Sequence, residues 1–164
     1  MFKKYYPLAL RLENKNILVV GGGRIAERKI LGLLSVQAKI CVVSPDLTTR
    51  LQLFVRGGRI NWLARKVKRS DLQGKDFIIA ATSDRNLNHQ VSSWSKASGA
   101  WVNVVDDSEY SNYICPAILR KEQGIITVYT QARNPRLSRD LKNYLKEHWN
   151  EFLSYRHRLQ KHLP

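Results

Sequence analysis

Two adjacent carboxylates, Asp106 and Asp107, close the apolar run "WVNVVDD". A carboxylate at a strand end beside a reacting atom is suited to proton transfer. Neighbouring residues on extended backbone point to opposite sides, so only one of the pair is expected to face a cleft. The same pair also suits a turn or a helix start, and spacing alone leaves both readings open. A second segment, "AATSD" (80–84), ends another apolar run. The small Ala81 permits close approach there. Thr82 and Ser83 either hydrogen-bond a bound molecule or cap the helix that follows.

A third segment, "NILVVGGGRIAERKI", points to what that molecule would be. Gly21, Gly22, Gly23, Arg24, Ile25 and Ala26 fit G-x-G-x-x-A. The first glycine of that pattern allows the tight turn out of a strand, the second lets backbone approach a pyrophosphate, and the small sixth residue lets helix pack on strand. The helix start then offers unpaired N–H groups to an anion. A dinucleotide is the ligand expected on such a turn, and a purely structural turn is the alternative. Near the end of the next strand stand Ser44, Pro45 and Asp46. Asp46 either accepts from the ribose hydroxyls or starts the next helix, where a carboxylate is favoured. No arginine follows directly to meet a 2′-phosphate, so NAD is favoured over NADP.

These segments need a scaffold that brings strand ends together. Asn16–Val20 reads as a buried strand and Arg24–Leu34 as a helix, with Ile25, Ile30, Leu33 and Leu34 at helical spacing. The chain then alternates: strand "AKICVVSP", helix from about Leu47 to Val55, strand "RINWL", strand "FIIAATSD", helix Asn86–Ala97, strand "AWVNVVDD". Continuous apolar runs without alternation suit strands covered on both faces. The expected class is α/β, a Rossmann-like open parallel sheet. Beyond Asp107 the rhythm changes to two strand-like segments around Gly124, then helix almost to the end. Asn134 is placed to cap that helix and Pro135 to occupy its first position. The expected division is 1–112 for the dinucleotide-binding domain and 113–164 for a hairpin module with C-terminal helices.

The chain has 164 residues, 43% hydrophobic and 25% charged, ordinary values for a globular domain. Its net charge of +15 is not ordinary. It suits a nucleic acid, a polyanionic small molecule or a plainly basic surface. No helix-turn-helix, zinc or RNP-like pattern supports nucleic acid, so none is expected as a partner. Cys41 and Cys115 sit in apolar runs without metal-like spacing and are expected to be buried, reduced thiols. The four histidines, His89 on a predicted surface helix among them, show no ligand spacing and are assigned neither metal nor catalysis. The N-terminal stretch is not apolar enough for a signal or a membrane span, and the cytoplasm is the expected compartment.

The landmarks "YYPLALRLENKNILVVGGGRIAERKI", "VVSPDL", "DFIIAATSDRNLNHQV", "WVNVVDDSEYSNYICPAI" and "NPRLSRDL", in that order over residues 5 to about 147, resemble the siroheme synthase N-terminal module, the precorrin-2 dehydrogenase family. The resemblance implies an oxidoreductase that converts precorrin-2 to sirohydrochlorin with NAD, in siroheme and porphyrin biosynthesis. It implies a homodimer, and in some members a sirohydrochlorin ferrochelatase activity as well. It makes Asp106 the acid–base residue and assigns cofactor contacts to Arg24, Ile25, Pro45 and Asp46. It also gives the charge a cause, because the substrate is a polycarboxylate tetrapyrrole. Asn103, Arg120, Thr130, Arg133 and Arg136 are the expected substrate contacts, with Arg139 close by. Family members carry Ser-[Ser/Thr]-Gly-Gly after the last strand, where this chain has Tyr129-Thr130-Gln131-Ala132. That departure favours the alternative to an enzyme, a non-catalytic NAD- or tetrapyrrole-binding module.

Overall fold

A computed structural model describes residues 5–105, 107–131 and 134–160. Two compact units divide the described chain: residues 7–114, and residues 115–160 with Tyr5 and Tyr6. Tyr113 goes with the first unit because its ring packs edge-on against Phe77 and Trp101. Among the described residues no helix is long and apolar enough to cross a membrane.

The first unit is a five-stranded sheet in the order β3-β2-β1-β4-β5, every neighbouring pair parallel. Its strands are β1 (Asn16–Val20), β2 (Lys39–Val43), β3 (Asn61–Leu63), β4 (Phe77–Ala80) and β5 (Trp101–Val104). The helices of this unit are α1 (Arg24–Leu33), α2 (Thr49–Arg56) and α3 (Arg85–Ala97). Successive residues of a strand face opposite ways, and here both faces are dry. Ile17 and Val19 join Ile40, Val42 and Ile79 under Ala26 and Ile30 of α1 and Leu51 of α2. Leu18 and Val20 join Ile78, Ala80, Val102 and Val104 with Val91 of α3. That is why the central residues of β1, β2 and β4 are almost all apolar.

At the sheet edge, β5 is closed by the return of its own chain. Val102 N–H donates to Asn112 Oδ1 (2.7 Å), and Val104 N–H donates to Ser111 Oγ (2.8 Å). Side chains thus satisfy backbone groups that a sixth strand would otherwise meet.

The second unit holds an antiparallel hairpin, β6 (Ala117–Lys121) and β7 (Gly124–Val128), followed by α4 (Pro135–Glu147) and α5 (Trp149–Gln160). Asn134 caps α4, its side chain accepting from Leu137 N–H at 2.9 Å, with Pro135 at the first helical position. His148 ends α4, its N–H bonded to the Tyr144 carbonyl (3.0 Å) and its ring stacked on Tyr144. Lys121 lies over the Trp149 ring at 5.3 Å, tying β6 to α5.

The two cysteines form no disulfide, and both are half-buried rather than buried. Burial raises the Cys41 thiol above its ordinary range, Lys75 nearby opposing the shift. The apolar context that suggested full burial describes their neighbours: in β2 Ile40, Val42 and Val43 are buried while Cys41 between them is not.

Gln131 takes φ +55°, the left-handed conformation that glycine adopts freely. The backbone therefore keeps a glycine-like conformation where the family's glycine is missing. A non-glycine residue pays about 1–2 kcal/mol there, offset in part by glycine's greater freedom when unfolded. Gln131→Gly is expected to raise stability by about 0.5–1 kcal/mol in denaturant unfolding. A loss of stability would show that the Gln131 side chain contributes more than the strain costs.

Candidate active site at the strand ends

The chain winds in opposite directions from β1 and β4, which lie side by side, so a crevice opens at their C-terminal ends. Gly21 starts the turn out of β1 with φ +113°, its N–H donating to the Val43 carbonyl (3.0 Å). A Cβ at Gly21 would stand 2.5 Å from the Ala81 carbonyl oxygen. Gly22 is crowded from the other side, where a Cβ would meet the Asp46 carbonyl oxygen at 2.0 Å. Its own carbonyl accepts from Thr48 N–H (3.0 Å). Gly23 differs: nothing lies within 4 Å of the place its Cβ would take. It precedes α1 without any side-chain cap, and Arg24 and Ile25 are exposed. Open space over uncapped helix amides fits a pyrophosphate. Ala26 is fully buried, which lets α1 lie close on the sheet.

Ser44 is buried, its N–H bonded to the Leu63 carbonyl and its carbonyl to the Trp62 indole. Pro45 and Asp46 are exposed. Of the two roles open to Asp46, the helix start goes elsewhere. Thr48 caps α2, accepting from Leu51 N–H (3.3 Å) and donating to Glu27 (2.6 Å). The Asp46 carboxylate, with no partner among the described residues, is an acceptor that suits ribose hydroxyls.

At the end of β4, Ala81 is buried and Ser83 exposed. Capping of α3 falls to neither Thr82 nor Ser83 but to Asp84, which accepts from Leu87 N–H (3.0 Å). Thr82 is held by Asn88, a residue sequence reasoning missed. Asn88 Oδ1 accepts from both the Thr82 N–H (3.1 Å) and hydroxyl (2.7 Å), and its Nδ2 donates to the Thr82 carbonyl (3.0 Å). Asn88 is buried on α3, and a buried Asn one turn into a helix was the available signal. Thr82, Ser83, Asn88, Val105 and Asp107 line a recess of about 320 Å³.

Asp107 faces this recess, whereas Asp106, the expected acid–base residue, lies outside the described residues. The Asp107 carboxylate accepts from His89 Nε2 (2.8 Å) and Arg85 (3.1 Å). Here the structure corrects the sequence reading, which left His89 without a partner on a surface helix. His89 is mostly covered and stacked flat on Tyr110, ring centroids 3.5 Å apart. Burial alone would raise the Asp107 carboxyl, but the hydrogen bonds from His89 and Arg85 prevail and hold it below the ordinary range.

Asn103 is buried on β5, accepting from Lys29 (3.2 Å) and donating to the Tyr113 carbonyl (3.2 Å), so it ties α1 to the returning loop. In the second unit, Arg120 on β6 and Arg136 in the first turn of α4 are exposed and make no ion pair among the described residues. Arg139 reaches its neighbour Asp140 (3.1 Å). Thr130 donates to the Asn134 carbonyl (2.8 Å) and contacts Ser138 Oγ (2.9 Å). Arg133 lies outside the described residues. Among those described, no group of three or more metal-ligating side chains comes together.

A family model described as "Putative NAD(P)-binding" matches residues 8–117. "Siroheme synthase 1" of Aeromonas salmonicida is 37% identical over 142 residues, 87% of this chain and 30% of that protein. The siroheme synthase of Nitrosomonas europaea is 37% identical over 143 residues, again 87% and 30%. The chain belongs to the NAD(P)-binding family of siroheme synthase N-terminal modules. It spans about 30% of the length of these relatives. Among solved structures, "SirC, precorrin-2 dehydrogenase" superimposes with a TM-score of 0.72 and 28% identity, covering 88% of this chain and 71% of that one. The family's dinucleotide-binding part thus coincides with the unit that carries the open Gly23 turn.

Two predictions follow from the crowding around the glycines and the pairing of Asp107. Gly22→Ala is expected to cost at least about 2 kcal/mol of stability, because a backbone oxygen occupies the Cβ position. Gly23→Ala is expected to fold normally yet bind NAD roughly tenfold more weakly in calorimetry. Equal effects on stability would contradict this division of roles. Because Asp107 titrates lower folded than unfolded, its stabilisation is complete above an unfolded value of about 3.9. That stabilisation is lost as pH falls through the depressed folded value. Asp107→Asn should therefore destabilise the protein at neutral pH, with the gap to wild type narrowing on acidification; a gap unchanged to about pH 3 would contradict the pairing.

Proposed function

We propose that this chain is an NAD-dependent precorrin-2 dehydrogenase, oxidising precorrin-2 to sirohydrochlorin. The observation that carries the reading is the likeness to a precorrin-2 dehydrogenase over most of that protein's length, joined to a glycine turn open at Gly23. NAD, when bound, supplies the hydride acceptor. Gly23, Arg24 and Ile25 hold its pyrophosphate through backbone N–H groups, and Asp46 accepts from a ribose hydroxyl. Ala81, Thr82 and Ser83 border the nicotinamide end, where Asn88 keeps the Thr82 backbone in one conformation. The oxidation removes a hydride and a proton from the macrocycle, and the carboxylate of Asp106 accepts the proton. The exposed cations Arg120 and Arg136 of the second unit, with Arg133 and the Thr130 hydroxyl, attract and orient the polycarboxylate substrate.

The active form in this reading is a cytoplasmic homodimer. In the described second unit only Leu119, Val128 and Ser138 are buried. Ile118, Ile125, Leu137, Leu141, Tyr144, Phe152 and Tyr155 stay exposed. A unit with so small a core gains most of its stability by covering such a face, and a second copy of the chain is the proposed cover.

Anaerobic mixing of precorrin-2 and NAD with the purified protein tests the reading. Reduced nicotinamide and sirohydrochlorin should appear in equal amounts, and Asp106→Asn should slow the rate by about 100-fold or more. Tight NAD binding without turnover would favour the non-catalytic module instead.

A further inference from the structure

We infer that His89 is a positioning residue, holding the loop after β5, and with it the Asp107 wall of the recess, through contacts with Asp107 and Tyr110. Arg85, His89 and Ser92 recur at spacings of four and three on α3 and so share one face of the helix. All three reach the loop that follows β5. Arg85 and His89 converge on one oxygen of Asp107, at 3.1 and 2.8 Å. Ser92 Oγ donates to the Tyr110 carbonyl, and the His89 ring lies within 3° of parallel to the Tyr110 ring. An ionised carboxylate only accepts, so Nε2 of His89 is the donor.

The residues flanking Asp106 in sequence are both held. Val105 N–H donates to the Ala80 carbonyl (3.0 Å), and the Asp107 carbonyl accepts from Ser111 Oγ (2.8 Å). His89 supplies what the other contacts lack. The Arg85 side chain is 79% exposed and that of His89 23%. Water competes with the first pair and much less with the second. A flat ring also stacks on Tyr110 while presenting a donor to Asp107, which a small side chain does not. His89 itself touches neither substrate nor cofactor in this account, and its effect passes through the loop after β5.

The kinetic part of this inference rests on the dehydrogenase reading, and its structural part does not. Two variants, His89→Ala and His89→Gln, separate the roles. Hydrogen exchange read by mass spectrometry should show faster exchange over residues 105–113 in His89→Ala. Exchange between that of wild type and that of His89→Ala is expected in His89→Gln, which retains an amide donor for Asp107 but loses the ring stacked on Tyr110. In the precorrin-2 assay His89→Ala should lower kcat about 10- to 100-fold with KM for NAD within about twofold of wild type, and His89→Gln should recover part of the loss. Unchanged exchange over 105–113 in His89→Ala would overturn the inference, as would a rise in KM with kcat intact. A wild-type protein that turns over no precorrin-2 would count against the dehydrogenase reading, while the exchange result would still decide the role of His89.

Discussion

The arrangement of the first unit depends on one close approach, that of the Gly21 backbone to the Ala81 carbonyl, where a Cβ would lie 2.5 Å from the oxygen. Any side chain at 21 would drive apart the ends of β1 and β4, the two strands between which the crevice opens. The left-handed φ of Gly21 turns the chain toward α1 at once, and the Asp46 carbonyl closes over Gly22 in the same way. With two glycines consumed by the protein's own backbone, the third is left facing open space. The turn is thus a structural device on one side and an open surface on the other, and the division falls between Gly22 and Gly23.

The opposite wall of the crevice is organised by polar side chains of α3. Asn88 fixes the backbone at Thr82, and His89 with Arg85 fixes the loop at Asp107. Both sets of contacts start from one helix, so the end of β4 and the loop after β5 are registered to each other. Hydrogen bonds made away from water are stronger and less forgiving than exposed ones, which makes α3 a rigid reference for the groups around it. The basic surface plays a different part. With 28 cations against 13 carboxylates, most cations cannot be paired, and their field concentrates anions without fixing a geometry.

Much of this was legible in the sequence because it depends on neighbours along the chain. Uninterrupted apolar runs at 17–20 and Phe77–Ala80 announce strands covered on both faces, and the glycine turn announces its own backbone. The Asn134 cap and Pro135 mark the start of α4 for the same local reason. What escaped depends on pairs distant in sequence. His89 meets Asp107 eighteen residues away, and nothing in local spacing says that α3 turns that face toward the loop after β5. Asp84, directly before the first residue of α3, is its cap, while Thr82 two residues earlier is held by Asn88. The departure at Gln131 looked like a loss of conformation, yet the backbone there keeps φ +55°.

The central claim is that the open side of the glycine turn holds the dinucleotide at the strand ends. A crystal structure of the protein with NAD tests it most directly. The account predicts the pyrophosphate against the backbone N–H groups of Gly23, Arg24 and Ile25, with the nicotinamide reaching the recess beside Thr82 and Asp107. A dinucleotide bound elsewhere, or one whose pyrophosphate makes no contact with that turn, would contradict it.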